Sequence, residues 1–272
     1  MSENRVPTAI SIAGSDSGGG AGIQADLKAF ARCGVHGMTA ITAITVQNTV
    51  TVADVHQVPP EIVIEQVRVV AEDIGIDAVK VGMLGTAETI DAVVEAVGLV
   101  GEAPVVIDPV MVAESGAVLL DPAARRALVE RLLPLATVAT PNLPEARELT
   151  GLGEGASQEE LARAVHTLGP DVAIVTGGHT EEASDVLYDG RGEPMAIRGP
   201  RHPAGATHGS GCTHSSSIAA LLAHGESPRE AAVEARAITA EAVANGLRGI
   251  GAGSGPVDVF GLASGGGVGP SA

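Results

Sequence analysis

Apolar positions along the chain fall into short runs that predict strands buried on both faces. The runs are rich in Val, Ile and Ala, and they cover 9–13, 78–81, 105–107, 138–139 and 172–175. Stretches with room for a helix lie between most of them. Because strands and helices alternate in this order, the pattern predicts an α/β fold, a three-layer α/β/α sandwich around a mostly parallel sheet.

Helical periodicity is visible in two stripes of apolar residues with the spacing i, i+4, i+7. The first stripe consists of Ile23, Leu27 and Phe30, and the second of Val63, Val67, Val70 and Ile74. Each spacing places the apolar side chains on one face of a helix. We expect both faces to pack against the sheet.

The last third of the chain predicts a hairpin and two long helices. Two short runs within 184–197 flank a Gly-rich turn, which is typical of a hairpin at the edge of a sheet. Ala- and Leu-rich segments at 212–223 and 228–244 predict helices, and Gly225 is placed to end the first of them.

The length of the chain and the composition of its last residues predict how it is divided into a domain and a tail. A chain of 272 residues can bury one substantial core, so we predict a single domain over 1–263. Residues 264–272 are rich in Gly and Ser and have little to bury, which predicts a disordered tail.

Charge and cysteine content narrow the classes of partner. The chain carries 33 acidic and 16 basic residues, a formal net charge of −17, which disfavours nucleic acid and anionic membranes as partners. We therefore expect a small-molecule ligand. Only Cys33 and Cys212 are present, and no apolar run reaches the roughly 18 residues that span a bilayer, so a cytoplasmic protein is expected.

Polar and glycine-rich segments follow the predicted strands directly. Ligands of open α/β sheets collect at the carboxyl ends of the strands, so these segments are the candidate site. They are GSDSGGG at 14–20, GM at 82–83, DPVM at 108–111, TPN at 140–142 and TGGH at 176–179.

A second glycine turn, Gly209, Ser210, Gly211 and Cys212, precedes a strongly helical run. Free N–H groups and the positive end of a helix dipole suit an anion such as a transferring phosphoryl group. The same turn is also explained as an ordinary glycine loop. The dipole can lower the pKa of Cys212 and make its thiol a base, whereas the simpler interpretation is a small buried side chain.

Two carboxylates are candidates for a magnesium site. Asp108 follows one predicted strand, and Glu145 follows Asn142 at the start of a predicted helix. Mg²⁺ takes one or two carboxylates together with nucleotide phosphates, which fits this pair. The alternative is that Glu145 only complements the helix N-terminus.

Other polar residues allow two interpretations each. Asp26 lies off the apolar stripe of its helix, so it either points toward the glycine loop or is an ordinary solvated charge. His202, His208 and His214 recur at intervals of six, which matches no common zinc motif. We predict that the three histidines are loop and cap residues.

Two familiar nucleotide motifs do not apply. The chain has only two lysines, Lys28 and Lys80, and no G-x-x-x-x-G-K-[ST] sequence, which excludes a P-loop enzyme. Gly151 to Ala156 matches a dinucleotide-binding pattern, but a predicted helix precedes it where a strand is required. We interpret this match as an accidental loop.

Eight segments together resemble the hydroxymethylpyrimidine and phosphomethylpyrimidine kinases over about residues 8–260. They are GSD at 14–16, GGAGIQADLK at 19–28, ITAITVQNT at 41–49, GML at 82–84, DPVM at 108–111, TPNLPEA at 140–146, THGSGCT at 207–213 and GPV at 255–257. The resemblance implies a ribokinase-like fold, a homodimer, and two successive phosphorylations by ATP with Mg²⁺ on the route to thiamine diphosphate. The hydroxymethyl group is phosphorylated first, and the resulting monophosphate second.

The resemblance also assigns roles to residues. It places the aminopyrimidine against Gln47, whose amide both donates and accepts hydrogen bonds. The substrate-binding set that it completes is Gly14, Ala21, Asp26, Gln47, Met83 and Val110. Cys212 stands where related sugar kinases have an aspartate base, and Asn142, Glu145 and Asp108 belong to the region of Mg²⁺ and phosphate.

One departure from the family concerns the nucleotide side. Many members have a lysine where this chain has Thr176, ahead of Gly178 and His179, which we assign to ATP. Thr176 supplies no positive charge. Two other functions therefore stay open, a pyridoxal kinase of the same superfamily, against which Gln47 argues, and a sensor that binds the pyrimidine without converting it.

Overall fold

Nine strands form one sheet in this computed structural model, which describes residues 5–114, 116–178, 184–203 and 205–264. Their bounds are β1 Thr8–Asp16, β2 His36–Gln47, β3 Val52–Gln57, β4 Ala78–Val81, β5 Val105–Ile107, β6 Val138–Ala139, β7 Val172–Val175, β8 Ser184–Tyr188 and β9 Met195–Arg198. The order across the sheet is β3-β2-β1-β4-β5-β6-β7-β8-β9. All pairs from β2 to β7 are parallel, and β3, β8 and β9 pair antiparallel at the edges. The α/β fold with a mostly parallel sheet is confirmed.

The strands predicted from short apolar runs are all present, and the hairpin of β8 and β9 lies at a sheet edge as expected. The sequence analysis missed β2 and β3. In β2 three threonines, Thr39, Thr42 and Thr45, divide the apolar residues into pieces of one or two, which is more interruption than any predicted strand has. Its burial alternates instead, as in a strand with two unlike faces.

Eight helices connect and cover the strands within the described part of the chain. They are α1 Gly22–Arg32, α2 Pro60–Asp73, α3 Ala87–Val97, α4 Arg125–Ala127, α5 Leu143–Thr150, α6 Gln158–His166, α7 Ser210–Ala223 and α8 Pro228–Ala244. A π-helical turn, Leu128–Leu132, and a 3₁₀ turn, Leu133–Leu135, extend α4. The predicted apolar stripes lie on α1 and α2. Gly225 has a φ of 89° directly after α7 and its cap, which confirms its predicted role as a stop.

Alternate residues of the central strands enter two different apolar cores. In β7, Val175 packs in a core shared with α2, α3, α5 and α6, whereas Ile174 packs with α1, α7 and α8. The same alternation occurs in β1, where Ile10 belongs to the first core and Ala9 to the second. Helices thus cover both faces of the sheet, and the strand ends stay free for a site.

The end of the chain is described only in part. Leu262–Ser264 forms a short 3₁₀ turn, so Ser264, the first residue of the predicted tail, belongs to an element, and the remainder of the tail lies outside the described residues. The single domain over 1–263 stays a prediction. Within the described ranges, no helix has the length and apolar character to cross a membrane.

Candidate active site

A cavity of about 1210 Å³ lies at the carboxyl ends of the parallel strands, where the sequence placed the site. Ligand cavities commonly measure roughly 300 to 1,000 Å³, so this one has room for two small molecules. Most of the predicted site residues line it: Gly14, Ala21, Gln47, Met83, Asp108, Val110, Asn142, Glu145, Thr176, Gly178, Gly209, Ser210, Gly211 and Cys212. Asp26 is not among them, and His179 lies outside the described residues.

The glycine loop after β1 is wound around the carboxylate of Asp16. That carboxylate accepts hydrogen bonds from the N–H groups of Gly18 at 2.7 Å, Gly20 at 3.0 Å and Ala21 at 2.8 Å. Gly22 then enters α1 with a φ of +55°, and a Cβ there would lie 2.3 Å from the Gly14 oxygen. This tight return of the chain requires glycine and presents Ala21 to the cavity.

The second glycine turn meets the first one directly. Gly209 has a φ of +80°, and a Cβ there would lie 1.8 Å from the carbonyl oxygen of Gly20. Helix α7 begins at the next residue, Ser210, so the N-terminus of a 14-residue helix opens on the cavity. The predicted anion turn therefore has the helix that it needs, and we use this name for Gly209–Cys212 below.

The thiol of Cys212 does not have the lowered pKa that the helix dipole predicts. Burial raises its pKa to about 12, and the charges of Asp26 and Asp108 act in the same direction, whereas Lys80 and the N–H of Gly22 act against them. Desolvation and two carboxylates outweigh the dipole at this position. The predicted lowering is wrong, because sequence shows the helix start but not the neighbours.

Asp26 is fully buried, so its interpretation as a solvated charge is wrong. Its two oxygens lie 3.0 and 3.1 Å from Nζ of Lys80 and accept hydrogen bonds from Ser11 at 2.6 Å and Ser216 at 2.7 Å. Asp26 has these contacts inside the protein and does not line the cavity, and its assignment to the substrate stays a prediction. Lys80, to which the sequence analysis gave no role, lines the cavity. A lone lysine within an apolar strand was the signal that could have found it.

Asp108 and Glu145 both line the cavity and are buried. Ser215 donates to Asp108 at 3.1 Å. Glu145 accepts from the N–H of Asn142 at 2.9 Å, and the Asn142 side chain accepts from the N–H of Glu145 at 2.9 Å, so the helix-cap interpretation of Glu145 is correct as well.

The electrostatics of this carboxylate pair suit a cation. Burial raises the pKa of Asp108, and burial together with the charge of Asp108 raises the pKa of Glu145 to about 8. A divalent cation would stabilise the charged form of both. Among the described residues no group of three or more His, Cys, Asp or Glu side chains forms a metal cluster, and Mg²⁺ held by two carboxylates plus nucleotide phosphates needs none.

His208 forms an ion-pair cluster that the sequence analysis missed. Its Nε2 lies 3.1 Å from Asp16 and its Nδ1 lies 3.3 Å from Glu114, which also accepts from the Thr207 hydroxyl at 2.6 Å. Hydrogen bonds to both carboxylates raise the pKa of His208 to about 9. Burial alone would raise the pKa of Asp16, but the bonds from His208 and from backbone N–H groups lower it.

His214 contradicts its prediction as a loop or cap residue, since it is a buried residue inside α7. Its Nε2 lies 3.4 Å from Asp185, and Nε of Arg236 lies 3.5 Å from the same carboxylate. Asp185 also accepts from the N–H of Gly177 at 3.0 Å. The cluster thereby supports the turn after β7. Burial lowers the pKa of His214.

Residues 16–258 match the sequence model of one protein family, described as phosphomethylpyrimidine kinase. The chain belongs to this family. A hydroxymethylpyrimidine/phosphomethylpyrimidine kinase of Rhizobium meliloti is 47% identical over 263 residues, 93% of this chain and 96% of the relative. One of Streptomyces coelicolor is 44% identical over 256 residues, 93% and 94% of the two chains.

A third relative is a longer protein than this chain. The thiamine biosynthesis bifunctional protein ThiED of Geobacter sulfurreducens is 44% identical over 253 residues, 92% of this chain but 51% of the relative. The chain thus spans about half the length of that protein.

Solved structures show the same fold at similar identity. The pyridoxal kinase of Staphylococcus aureus in complex with AMP-PCP and pyridoxal has a TM-score of 0.85 at 36% identity and covers 94% of both chains. The phosphomethylpyrimidine kinase of Clostridium difficile 630 has a TM-score of 0.74 at 39% identity and covers 85% of this chain and 96% of its own. Both neighbours are kinases, and the Staphylococcus aureus structure holds the ATP analogue AMP-PCP.

The departure at Thr176 lies on the wall of this kinase cavity. Thr176 follows β7, its N–H donates to the carbonyl of Pro141 at 2.9 Å, and it forms a bridge with Asn142. The turn after β7 thus adjoins the capped start of α5. Thr176 brings no positive charge to this junction.

Proposed function

We propose that this kinase uses ATP to phosphorylate 4-amino-5-hydroxymethyl-2-methylpyrimidine and then its monophosphate, for thiamine diphosphate biosynthesis. One observation carries the proposal: a single cavity joins Gln47, the anion turn at Cys212, and the carboxylates Asp108 and Glu145. A ring site, a transfer site and a cation site are the three parts that such a reaction needs. The proposal includes a three-layer, ribokinase-like sandwich and a reducing cytoplasmic compartment, which the two free cysteines support.

The pyrimidine end is built from Gln47 and small or flexible apolar residues. The Gln47 side chain lines the cavity, and its Oε1 accepts from the Thr45 hydroxyl at 3.1 Å, which fixes the orientation of the amide. An amide that donates and accepts matches an aminopyrimidine edge. Gly14 and Met83 are packed against each other beside it, with 3.0 Å from a Cβ built on Gly14 to the Met83 sulfur.

The transfer end of the cavity is the anion turn, which ends at Cys212. Phosphoryl transfer has a loose transition state, so stabilisation of charge on the transferred group matters more than early removal of the hydroxyl proton. The helix N-terminus supplies that stabilisation. A thiol with a pKa of about 12 is protonated at neutral pH and cannot take the proton of the substrate hydroxyl, so we assign Cys212 to the anion site and not to the role of base.

Asp108 and Glu145 are the residues that would hold Mg²⁺. When bound, the ion neutralises charge on the nucleotide phosphates. Asn142 fixes Glu145 through the helix cap, and Ser215 orients Asp108. Thr176 and Gly178 line the same wall, where we place the nucleotide, and His179 completes the proposed nucleotide set.

A coupled assay for ADP tests this function directly. The purified protein is offered hydroxymethylpyrimidine, its monophosphate and pyridoxal in separate reactions, and the products are identified by mass. We expect turnover with the first two substrates. A higher kcat/KM for pyridoxal than for either pyrimidine would overturn the proposal.

Pyridoxal kinase is the second candidate, because the Staphylococcus aureus pyridoxal kinase in complex with pyridoxal has a TM-score of 0.86 to this chain. Gln47→Leu separates the two candidates. Loss of an amide that pairs with the substrate ring costs about 1 to 3 kcal/mol, so the KM for the pyrimidine should rise roughly tenfold or more. Background ATP hydrolysis should not change. A non-catalytic sensor would bind the pyrimidine and give no phosphorylated product in a single-turnover experiment.

We also propose that the protein is a homodimer. Ile44 and Val46 of β2 are 50% and 58% exposed, and Val50 in the following turn is 51% exposed, all beside the edge strand β3. The second copy covers this apolar patch, in line with the family resemblance. Sedimentation equilibrium should give a dimer for the natural chain and a monomer for Ile44→Lys. A monomeric natural chain would contradict the assignment.

A further inference from the structure

The basic side chains around the cavity differ in how they are paired. Five of them line it: Lys80, Arg125, Arg147, Arg201 and Arg236. Three of the five form ion pairs with described residues: Lys80 with Asp26, Arg125 with Glu148, and Arg236 with Asp185. Arg201 is exposed, so water and salt screen its charge. Arg147 is half-buried, and its side chain has no ion pair or hydrogen bond with any described residue.

The guanidinium of Arg147 has the chemistry to bind an anion. Its Nε is buried and makes no hydrogen bond within the described part of the chain. A buried donor without a partner is unfavourable, and arginine does not lose its charge in proteins. The planar fork of N–H donors matches the oxygens of a phosphate group, which it binds through two parallel hydrogen bonds. A phosphate is therefore a suitable partner for this side chain.

Helix α5 presents Arg147 to the cavity close to the start of the helix. Four residues of α5 line the cavity: Leu143, Pro144, Arg147 and Glu148. Their spacing places them on one face of the helix. Long helical side chains lean toward the N-terminus of their helix, so that of Arg147 covers the turn that begins at Leu143. This turn follows directly on Asn142, the residue that caps α5.

The capped start of α5 meets the turn after β7, where we place the nucleotide. Asn142 forms a bridge with Thr176, whose N–H donates to the carbonyl of Pro141 at 2.9 Å. Thr176 and Gly178 line the cavity and carry no charge, whereas Glu145 adds a carboxylate to the same junction. That carboxylate repels nucleotide phosphates unless cations compensate it. A metal ion supplies part of this compensation, and α5 supplies a further cation.

We propose that Arg147 binds the phosphates of the nucleotide and supplies the positive charge that the turn at Thr176 lacks. This inference rests on the proposed kinase function. The phosphate of the pyrimidine monophosphate has the same chemistry, but the sheet order favours the nucleotide. Gln47 ends β2 and α5 follows β6, which lies four strands away from β2 in the sheet. At about 4.8 Å for each strand, the two ends of the cavity are roughly 19 Å apart.

Binding of the ATP analogue AMP-PCP with Mg²⁺, measured by isothermal titration calorimetry, tests the proposal without turnover. Arg147→Met removes the charge and keeps a long side chain with good helix propensity. Loss of a hydrogen bond to a charged group weakens binding roughly tenfold to hundredfold, and we expect the Kd of AMP-PCP to rise by about this factor. Adenosine, which has no phosphate, should bind the variant and the parent equally.

Arg131→Met is the matched control. Arg131 lies outside the cavity and pairs with Asp91, so the variant changes the net charge by the same amount and should leave the Kd of AMP-PCP unchanged. Thr176→Lys, added to Arg147→Met, returns a cation to the adjoining turn and should lower the Kd again. If Arg147→Met does not fold, Arg147→Gln removes the charge with a polar side chain and should weaken AMP-PCP binding in the same way.

Three results would overturn the proposal. The first is equal affinity of Arg147→Met and the parent for AMP-PCP. The second is an equal loss for adenosine and AMP-PCP, which would indicate general damage to the site. The third is weaker binding of the pyrimidine monophosphate with unchanged binding of AMP-PCP, which would place Arg147 on the other substrate. A parent chain that binds no AMP-PCP would overturn the proposed kinase function together with this inference.

Discussion

Asp16 and Asp26 belong to the same strand–helix unit, and each binds a cation that ties this unit to another part of the fold. Asp26 pairs with Lys80 in full burial, whereas Asp16 pairs with His208, which also binds the partly exposed Glu114. Lys80 keeps its charge, but His208 loses its charge as the pH passes about 9. A buried lysine with a strong partner thus gives a permanent charge, and a histidine between two carboxylates gives one that depends on pH.

The two pairs also support different parts of the cavity. The Asp26–Lys80 pair lies beneath the anion turn and is linked to α7 through Ser216. The Asp16–His208 pair joins the glycine loop to Glu114 in the segment between β5 and α4. We therefore expect the first pair to control folding, and the second to hold the cavity wall in a pH-dependent way.

The largest effect should come from Asp26→Ala. This change leaves the Lys80 ammonium buried and unpaired, which costs about 3 to 5 kcal/mol in comparable cases. The free energy of unfolding is measured by urea denaturation at neutral pH. Glu130→Ala is the control, since it breaks an exposed i,i+4 pair with Arg126 and should cost no more than about 0.5 kcal/mol. If Asp26→Ala and Glu130→Ala lower the free energy of unfolding equally, the buried Asp26–Lys80 pair contributes no more to stability than an exposed pair.

The sequence predicted the strands and the position of the cavity, but not the charged pairs that support it. The strands at 78–81 and 172–175 follow from local apolar runs, and the cavity follows from where parallel strands end. The partners of Asp26 and Asp16 do not follow from local sequence patterns. Lys80 is 54 residues from Asp26, and His208 is 192 residues from Asp16. Local patterns carry no information on such pairs.

The pKa of Cys212 shows the same limit in another form. The helix start that should lower the pKa is visible in sequence, and the structure has it at Ser210. The burial and the carboxylates that raise the pKa come from α1 and from the turn after β5. A prediction from one local feature had the wrong sign because the stronger effects are tertiary.

A second prediction concerns the contact between Gly209 of the anion turn and Gly20 of the glycine loop. Gly209→Ala places a Cβ 1.8 Å from the carbonyl of Gly20 at a φ of +80°, so the anion turn must move away from the glycine loop. A displacement of about 1 Å can cost roughly a hundredfold in rate. We expect kcat/KM for the pyrimidine to fall by about this factor. It is measured in the coupled assay.

The control for this variant lies at the other end of the same helix. Gly225 also has a positive φ, +89°, but a Cβ there meets nothing within 4 Å. Gly225→Ala should cost about 1 kcal/mol of stability from backbone strain and leave kcat/KM near that of the parent. Similar kinetics for the two variants would show that strain, and not the contact with Gly20, determines the rate.

The smallest effect should appear in the pH dependence of stability. The pKa of His208 rises from 6.5 to about 9 on folding, so its stabilising contribution is complete below pH 6.5 and is lost as the pH approaches about 9. The pKa values of Asp16 and Glu114 are lowered, so their contribution is lost only as the pH falls through the acidic range. Because Glu114 is more than a third exposed, we expect a loss of only about 1 to 2 kcal/mol on the alkaline side.

His208→Gln isolates the contribution of His208 to the pH dependence of stability, because glutamine keeps a hydrogen-bond donor near Asp16 without a titrating charge. The free energy of unfolding of the natural chain should fall between pH 6.5 and about 9, and that of His208→Gln should change much less over this range. The Asp26–Lys80 pair contributes no slope there, since Lys80 stays charged. A slope that persists in His208→Gln would assign the pH dependence to another group and remove the contrast between the permanent and the titratable pair.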